Sequence, residues 1–177
     1  MRLVLAPIIS LIALTFASCA IRPASLEHSA GPIILERDFG GRTYAAGAFT
    51  NSLTGLRRNF KVMLDGTLKG EVFVLTERFD YADGEKGVKT WRFEKLASGD
   101  YRGTREDVVG SAVVVMDGNA IRLSYDVDLP SGGEKTRVHF EDILARSEDG
   151  AVINHAIVSK FGLAVGEVDL RFARHPL

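Results

Sequence analysis

The feature that most constrains this chain is a regular succession of short apolar runs separated by turn signals, which continues from Thr43 almost to the C-terminus. Glycine beside aspartate or asparagine is typical of tight hairpin turns, because these residues reach the positive φ angles that such turns need. No stretch of helix length shows a helical period. The sequence therefore predicts an all-β protein. The turn signals are Asp65-Gly66, Asp83-Gly84, Ser98-Gly99-Asp100, Asp117-Gly118-Asn119, Ser131-Gly132-Gly133 and Asp149-Gly150.

About ten strands are predicted between these turns, joined by hairpins without a long crossover, which favours an antiparallel meander. A meander of this size tends to close on itself, because closure removes the unpaired edges of the sheet. We expect a lipocalin-like barrel, with a two-layer β-sandwich as the alternative. The predicted strands are 43–50, 57–65, 69–81, 88–96, 100–106, 111–117, 119–129, 135–146, 151–161 and 163–173.

Alternation of apolar and polar residues predicts which side of each strand faces the core. In 119–129 the apolar set is Ile121, Leu123, Tyr125, Val127 and Leu129, and polar residues lie between them. Successive side chains on a strand point to opposite faces, so this strand has one buried face. The run 111–116 is largely apolar on both faces, which favours a strand that is also covered on its outside.

The charge balance argues against nucleic acid as a partner. The chain has 22 Lys and Arg against 23 Asp and Glu, a net charge of −1 at pH 7, which is neither a basic nucleic-acid footprint nor a polybasic membrane patch. Its four histidines are scattered and match no metal-ligand spacing. We find no phosphate-binding glycine loop and no nucleophile elbow, and we predict no metal and no cofactor.

The N-terminus carries an apolar leader that ends at Cys19, the only cysteine. Arg2 precedes the run Leu3–Ala17, and Ala17 and Ser18 place two small residues before the thiol. The apolar run is too short for a transmembrane helix and suits a signal peptide. The order of basic start, apolar middle, small residues and cysteine predicts a lipoprotein signal. Cleavage at an ordinary secretory site, leaving a free thiol, is the alternative.

These features divide the chain into three predicted parts: a signal peptide over 1–18, a lipidated Cys19 with a flexible tether over 19–36, and a β-barrel domain over 37–177. Acyl chains on Cys19 would make the membrane its first partner. The non-acidic Ala20 after the cysteine favours sorting to the outer membrane. We therefore expect a protein of the bacterial cell envelope on the periplasmic face of the outer membrane.

A few polar residues fall in phase with apolar neighbours on the predicted buried faces. Glu77 is in phase with Phe79, Asp142 with Phe140, and Arg58 with apolar residues of its own strand. A charge inside a barrel must be paired, hydrogen-bonded or neutralised. One interpretation makes these residues polar anchors of a ligand cavity. The other places them at strand ends or in structural ion pairs, which say little about function.

Other large or polar side chains complete the predicted ligand-binding set. Trp91 and Tyr125 lie on predicted inner faces, and His155 alternates with Ile153 and Ile157. A lone histidine in such a strand is more often a hydrogen-bonded structural residue than a ligand. The predicted set is Glu77, Asp142, Arg58, Trp91, Tyr125 and His155, with no catalytic residue assigned.

Several motifs along the chain carry a family resemblance. They are Glu77-Arg78-Phe79-Asp80-Tyr81-Ala82-Asp83-Gly84, Thr90-Trp91-Arg92-Phe93, Asp107-Val108-Val109-Gly110-Ser111-Ala112, Val138-His139-Phe140-Glu141-Asp142 and Asn154-His155-Ala156 with Ser159-Lys160-Phe161-Gly162. In this order the chain resembles, over roughly 37–173, the bacterial predicted-lipoprotein family catalogued as domain of unknown function 3833. The resemblance implies an envelope lipoprotein and no established activity.

Three functions remain open from the sequence. The first is a lipid-anchored protein that binds a small apolar ligand, such as a fatty acid or lipid, in a barrel cavity. The second is a structural or accessory lipoprotein whose barrel is filled by aromatic residues such as Phe73, Phe140 and Phe161. The third is a lipid-acting enzyme that uses Glu77, Asp142 and His155 for acid-base chemistry. The absence of a recognisable nucleophile–base motif favours a non-catalytic protein.

Overall fold

The computed structural model describes residues 30–131 and 133–177. The predicted signal peptide, the lipidation at Cys19 and the first part of the predicted tether lie outside the described residues. Within the described ranges, no helix combines the length and the apolar character needed to cross a bilayer.

Ten antiparallel strands form a closed barrel in which each strand pairs with its sequence neighbours and β1 pairs with β10. The predicted all-β meander barrel is therefore confirmed, and a two-layer sandwich is not formed. In the described part of the chain, one short helix, α1 (Leu35–Asp38), precedes the barrel. The strands are β1 (Gly41–Asn51), β2 (Arg57–Lys69), β3 (Val72–Tyr81), β4 (Lys86–Lys95), β5 (Tyr101–Thr104), β6 (Ala112–Asp117), β7 (Ala120–Ser131), β8 (Glu134–Arg146), β9 (Val152–Lys160) and β10 (Leu163–Ala173).

One predicted turn is wrong. Asp65-Gly66 lies inside β2, where Gly66 pairs with Leu75 of β3, and the chain reverses at Gly70, whose φ is +61°. Gly66 is needed for close packing rather than for a turn. A Cβ atom at this position would lie 2.0 Å from the carbonyl oxygen of Phe39. The glycine therefore lets the segment before β1 approach the inner face of the barrel.

One end of the barrel is closed by the segment that carries α1. Ile33, Leu35 and Phe39 are each at most 3 % exposed, and the ring of Phe39 packs edge-on against Phe172 at 5.2 Å. We call Ile33–Phe39 the plug. Ile33 and Leu35 fall within the stretch predicted as a flexible tether, so the packed part of the chain begins before residue 37.

Polar contacts fasten the plug to the barrel wall. The carboxylate of Asp38 accepts hydrogen bonds from the Ile34 amide and from Arg146 Nη2, each at 2.8 Å. Tyr101 donates its hydroxyl to Glu36 at 2.9 Å. Because strands alternate in direction, the β2–β3, β4–β5, β6–β7 and β8–β9 loops lie at this closed end. The remaining hairpin loops lie at the opposite end, which we call the open rim.

Candidate functional site in the barrel lumen

Inward-facing side chains pack the barrel interior to different degrees. Leu64, Phe73, Val114 and Ile121 are fully buried and fill the interior near the plug. Other inward-facing apolar side chains pack on this core and keep some solvent-accessible surface. These partly buried side chains are Phe49, Phe79, Leu123, Phe140, Val168 and Leu170.

A group of polar side chains lies in the lumen between the closed end and the open rim. We call it the lumen polar cluster. Pairing between strands sets its height, because Glu77 on β3 faces Lys89 on β4, and Asp142 on β8 faces Leu123 on β7. Its members are Glu77, Lys89, Arg105, Asp107, Tyr125, Asp142 and Asn154.

Arg105 lies at the centre of this cluster, just after β5, with its side chain only 9 % exposed. Its Nε donates to Asp107 Oδ1 at 2.6 Å, and its Nη1 lies 3.9 Å from Glu77 Oε2. The guanidinium carbon lies 4.5 Å from the centre of the Trp91 ring. Two carboxylates and an aromatic face thus compensate a buried cation.

Glu77 is the group in the cluster that titrates near neutrality. Burial raises its pKa to about 7, and the positive charges of Arg105 and Lys89 offset this effect only in part. Asp107 has the opposite balance: burial favours its neutral form, but Lys89 and Arg105 hold its pKa below the ordinary value. Asp107 is therefore the permanent anion, and Glu77 exchanges a proton near pH 7.

Asp142 and Asn154 form the most deeply buried polar pair, at 7 % and 8 % exposure. Asn154 Nδ2 donates to Asp142 Oδ1 at 2.7 Å. Among the described residues, Asn154 Oδ1 has no hydrogen-bond partner. Burial raises the pKa of Asp142, and hydrogen bonds with Asn154 and Tyr125 oppose that shift only in part. One buried polar oxygen, Asn154 Oδ1, is thus left for a further partner.

Aromatic rings connect the two halves of the cluster. Tyr125 meets Trp91 edge-on at 5.2 Å and stacks on Phe140 at 5.2 Å. Burial raises the pKa of the Tyr125 phenol well above its usual range. The phenol therefore stays protonated, and these rings form a rigid apolar wall with polar groups at one end.

The fold brings together four of the predicted site residues: Glu77, Asp142, Trp91 and Tyr125. Arg58 lies apart at the open rim, where it pairs with Asp83 at 2.8 Å and covers the ring of Tyr81 at 3.9 Å. His155 lies on the outer face of β9, and its Nδ1 is 2.8 Å from Asp169. A role in ligand binding remains a prediction for all six residues.

Four members of the cluster were not among the site residues predicted from the sequence: Lys89, Arg105, Asp107 and Asn154. Arg105 is in phase with Tyr101 and Gly103. Because only these two inward-facing residues precede it on a short strand, the alternation is a weak signal. Asn154 alternates with Val152, Ala156 and Val158, the true inner set of β9. Both faces of β9 carry apolar residues, so alternation alone did not show which face lies inside the barrel.

The cluster offers hydrogen-bonding and acid-base groups beside inward-facing apolar side chains. Among the described residues, no group of three or more His, Cys, Asp or Glu side chains is arranged to hold a metal ion. Fold and site together define a closed antiparallel barrel with a polar cluster in its lumen. The chain belongs to the family described as "Protein of unknown function (DUF3833)", whose model matches residues 13–174. No curated protein matches the chain significantly.

Proposed function

We propose that the barrel binds one small amphipathic ligand of the lipid type, such as a fatty acid or a related acyl compound. The single observation that carries the proposal is the buried polar pair of Asp142 and Asn154, which lies in the lumen among inward-facing apolar side chains and keeps Asn154 Oδ1 without a hydrogen-bond partner among the described residues. Apolar ligand sites with a few well-placed polar groups are typical of barrels of this size.

The buried polar pair favours a particular kind of headgroup. Asn154 Oδ1 can only accept a hydrogen bond, whereas the Asp142 carboxyl accepts when ionised and donates when protonated. The raised pKa of Asp142 favours the protonated form. A carboxyl or hydroxyl headgroup can donate to Asn154 Oδ1, with its acyl chain lying along Phe79, Phe140 and Val168 toward the open rim. A hydrocarbon without a polar group would leave this oxygen unsatisfied.

We also propose that the protein is held at the envelope membrane through acyl chains on Cys19, which places the barrel beside a supply of lipids. Support comes from the sequence of the leader and from its lone cysteine. Mass spectrometry of the mature protein, isolated from membranes, tests this part. A diacylglyceryl adduct on Cys19 supports it, and an unmodified Cys19 contradicts it.

Binding is tested with a fluorescent fatty-acid probe and residues 30–177, a chain that keeps the plug. The probe is displaced with unlabelled fatty acids of several chain lengths. Asp142→Asn keeps the side-chain shape and should weaken displacement about tenfold, since hydrogen bonds to buried polar groups are worth roughly 1–3 kcal/mol. The matched control is Asp126→Asn on the outer face, which should leave binding unchanged.

Two results would contradict the proposal. One is the absence of displaceable binding at every chain length. The other is equal affinity in the Asp142→Asn and Asp126→Asn variants. An experimental structure in which side chains fill the whole lumen would favour the alternative, a structural lipoprotein without a ligand.

A further inference from the structure

Four large apolar side chains project from the open rim into solvent. Leu53 and Leu56 lie in the β1–β2 loop, and Phe161 and Leu163 lie at the β9–β10 turn, with exposures between 72 % and 94 %. We call these four residues the apolar rim. Phe161 was expected to help fill the barrel, and this expectation is wrong because its side chain is the most exposed of the four.

The two loops lie side by side because β1 and β10 are the strands that close the barrel. The amide of Ser52 donates to the carbonyl oxygen of Val165 at 3.0 Å, and Asn51 pairs with Gly166. The strand pairing is irregular between Ala164 and Gly166, a bulge of the kind that barrels use at their rims to redirect side chains. The four apolar side chains therefore form one patch at the mouth of the lumen.

Phe161 has a backbone conformation that does not suit its side chain. It is the only non-glycine residue with a positive φ among the described residues, at +52°, and Gly162 follows at +78°. Turns with two positive φ angles strongly prefer Asn-Gly, and a bulky residue at the first position is strained. The ring gains no burial from this strain within the fold, so the local conformation favours display of the ring to a partner.

The two loops that carry the patch contain basic residues and no acidic ones. The stretches 51–59 and 158–165 contain Arg57, Arg58 and Lys160 and no Asp or Glu. Arg58 is neutralised by Asp83 and Glu85 of the next loop at this end. Arg57 contacts the amide oxygen of Asn59, and the Lys160 ammonium lies 5.5 Å from the ring of Phe161. Two cations thus flank the apolar side chains.

We infer that the apolar rim inserts into the interface of a lipid bilayer that contains anionic lipids. Aromatic and leucine side chains on loop tips, flanked by arginine and lysine, match the layered chemistry of that interface. The apolar groups enter the acyl boundary, and the cations stay at the level of the phosphates. Docking would point the mouth of the lumen at the bilayer. Docking itself needs no ligand in the lumen, so it stands apart from the proposed binding function.

Depth-dependent quenching tests this placement in the full chain. The chain is reconstituted into vesicles of phosphatidylcholine and phosphatidylglycerol whose acyl chains carry bromine. Phe161→Trp places a fluorescent indole on the apolar rim, which we call the rim reporter. Leu96→Trp places the matched indole on an exposed residue of the β4–β5 loop, which we call the closed-end reporter. Trp91 is the only native tryptophan and is buried, so the unmodified chain gives the baseline.

We expect the emission of the rim reporter to shift to shorter wavelength and to be quenched, and the emission of the closed-end reporter to stay at the value for water. Adding Leu53→Ser and Leu163→Ser to the rim-reporter chain should lower its partition into the bilayer at least about tenfold, because each change removes an apolar side chain that insertion would bury in the bilayer. Adding Arg57→Gln and Lys160→Gln should lower it about fivefold per residue, and only on anionic vesicles at low salt.

The inference is overturned if the rim reporter stays unquenched on vesicles that contain no other protein, a result that would favour a protein as the partner. It is also overturned if the closed-end reporter is quenched equally. If fatty-acid probe binding is absent while the rim reporter is still quenched, the proposed ligand is contradicted and the docking inference is supported. A rim reporter that stays unquenched while probe binding persists would contradict docking alone.

Discussion

The guanidinium of Arg105 stacks on the indole of Trp91, with 4.5 Å between the guanidinium carbon and the ring centre. This contact is possible because Trp91 on β4 and Arg105 just after β5 both face inward at the same height. They are the next residues along the two chains after the paired residues Arg92 and Thr104. The stacked pair places the only strongly buried cation of the lumen polar cluster beside Glu77 and Asp107. The electrostatics of the lumen depend on this residue.

Replacing Arg105 with methionine should destabilise the fold by about 3–5 kcal/mol, because removal of one partner leaves buried carboxylates uncompensated. The pKa of Glu77 should rise above about 7, since Arg105 is the largest influence that lowers it. Urea unfolding followed by Trp91 fluorescence measures the first effect. The matched control, Arg102→Met, removes an exposed pair with Glu94 and should cost less than about 1 kcal/mol. Equal losses would contradict the role given to Arg105.

Glu77 should make the protein less stable as the pH rises through neutrality. Its pKa is about 7 in the folded state against an ordinary 4.5. Between these values the folded state therefore binds more protons than the unfolded state, and the free energy of unfolding falls with pH. Well above pH 7, the ionisation of Glu77 should lower the free energy of unfolding by about 3 kcal/mol in total.

Glu77→Gln should remove most of this slope. The variant should be more stable than the natural chain at pH 8 and similar to it at pH 4, with urea midpoints as the measurement. Asp142 also has a raised pKa, so a fall of the same sign should remain in the variant. The charged groups that face Glu77 are Arg105, Lys89, Asp107 and Asp142. A steeper fall in the variant would show that Glu77 is ionised and favourably paired in the fold.

The plug should be acid-sensitive through Asp38. Burial raises the pKa of this carboxyl, but hydrogen bonds from Arg37, the Ile34 amide and Arg146 bring it below the ordinary value of 3.8. Its stabilising effect is therefore complete above pH 4 and is lost as the pH falls through the folded-state pKa. Asp38→Asn should cost about 1–3 kcal/mol at pH 7 and should flatten the loss below pH 4.

The control for Asp38 is Asp80→Asn, which removes an exposed ion pair with Lys86 and should change stability by less than about 0.5 kcal/mol. Hydrogen exchange at the Leu35 and Phe39 amides gives an independent readout. Faster exchange confined to the plug supports a local role for Asp38. Uniformly faster exchange would instead indicate a global loss of stability.

The sheet could be predicted from the sequence because its determinants are local. Alternation in 119–129 and glycine-containing turns fix strand direction and face without reference to distant residues. The plug could not be predicted in the same way. Ile33, Leu35 and Phe39 form no sustained period, and their burial depends on a barrel end built from strands far away in the sequence.

The candidate site was predicted in part for a similar reason. Glu77, Asp142, Trp91 and Tyr125 lie in long strands whose inner face is plain from alternation. Arg105 follows a strand of only four residues, and His155 lies on a strand whose two faces are both apolar. The run 111–116 was expected to be covered on both sides, yet Val113 and Val115 are exposed on the outer face of the described structure. In these strands, contacts with other parts of the fold decide which side chains are buried.

Gly66 provides a sharp test of the plug, because a single methyl group distinguishes two glycine positions in the barrel wall. At Gly66 a Cβ would lie 2.0 Å from the Phe39 carbonyl oxygen and 2.7 Å from Phe73 Cζ, whereas at Gly87 the nearest atom would be 3.8 Å away. Gly66→Ala must displace backbone and should cost about 1–3 kcal/mol. Gly87→Ala should be neutral or stabilising by up to about 1 kcal/mol, because alanine reduces the entropy of the unfolded chain. Thermal and urea unfolding of both variants measures the difference. Equal stability of the two would mean that the plug does not pack against Gly66.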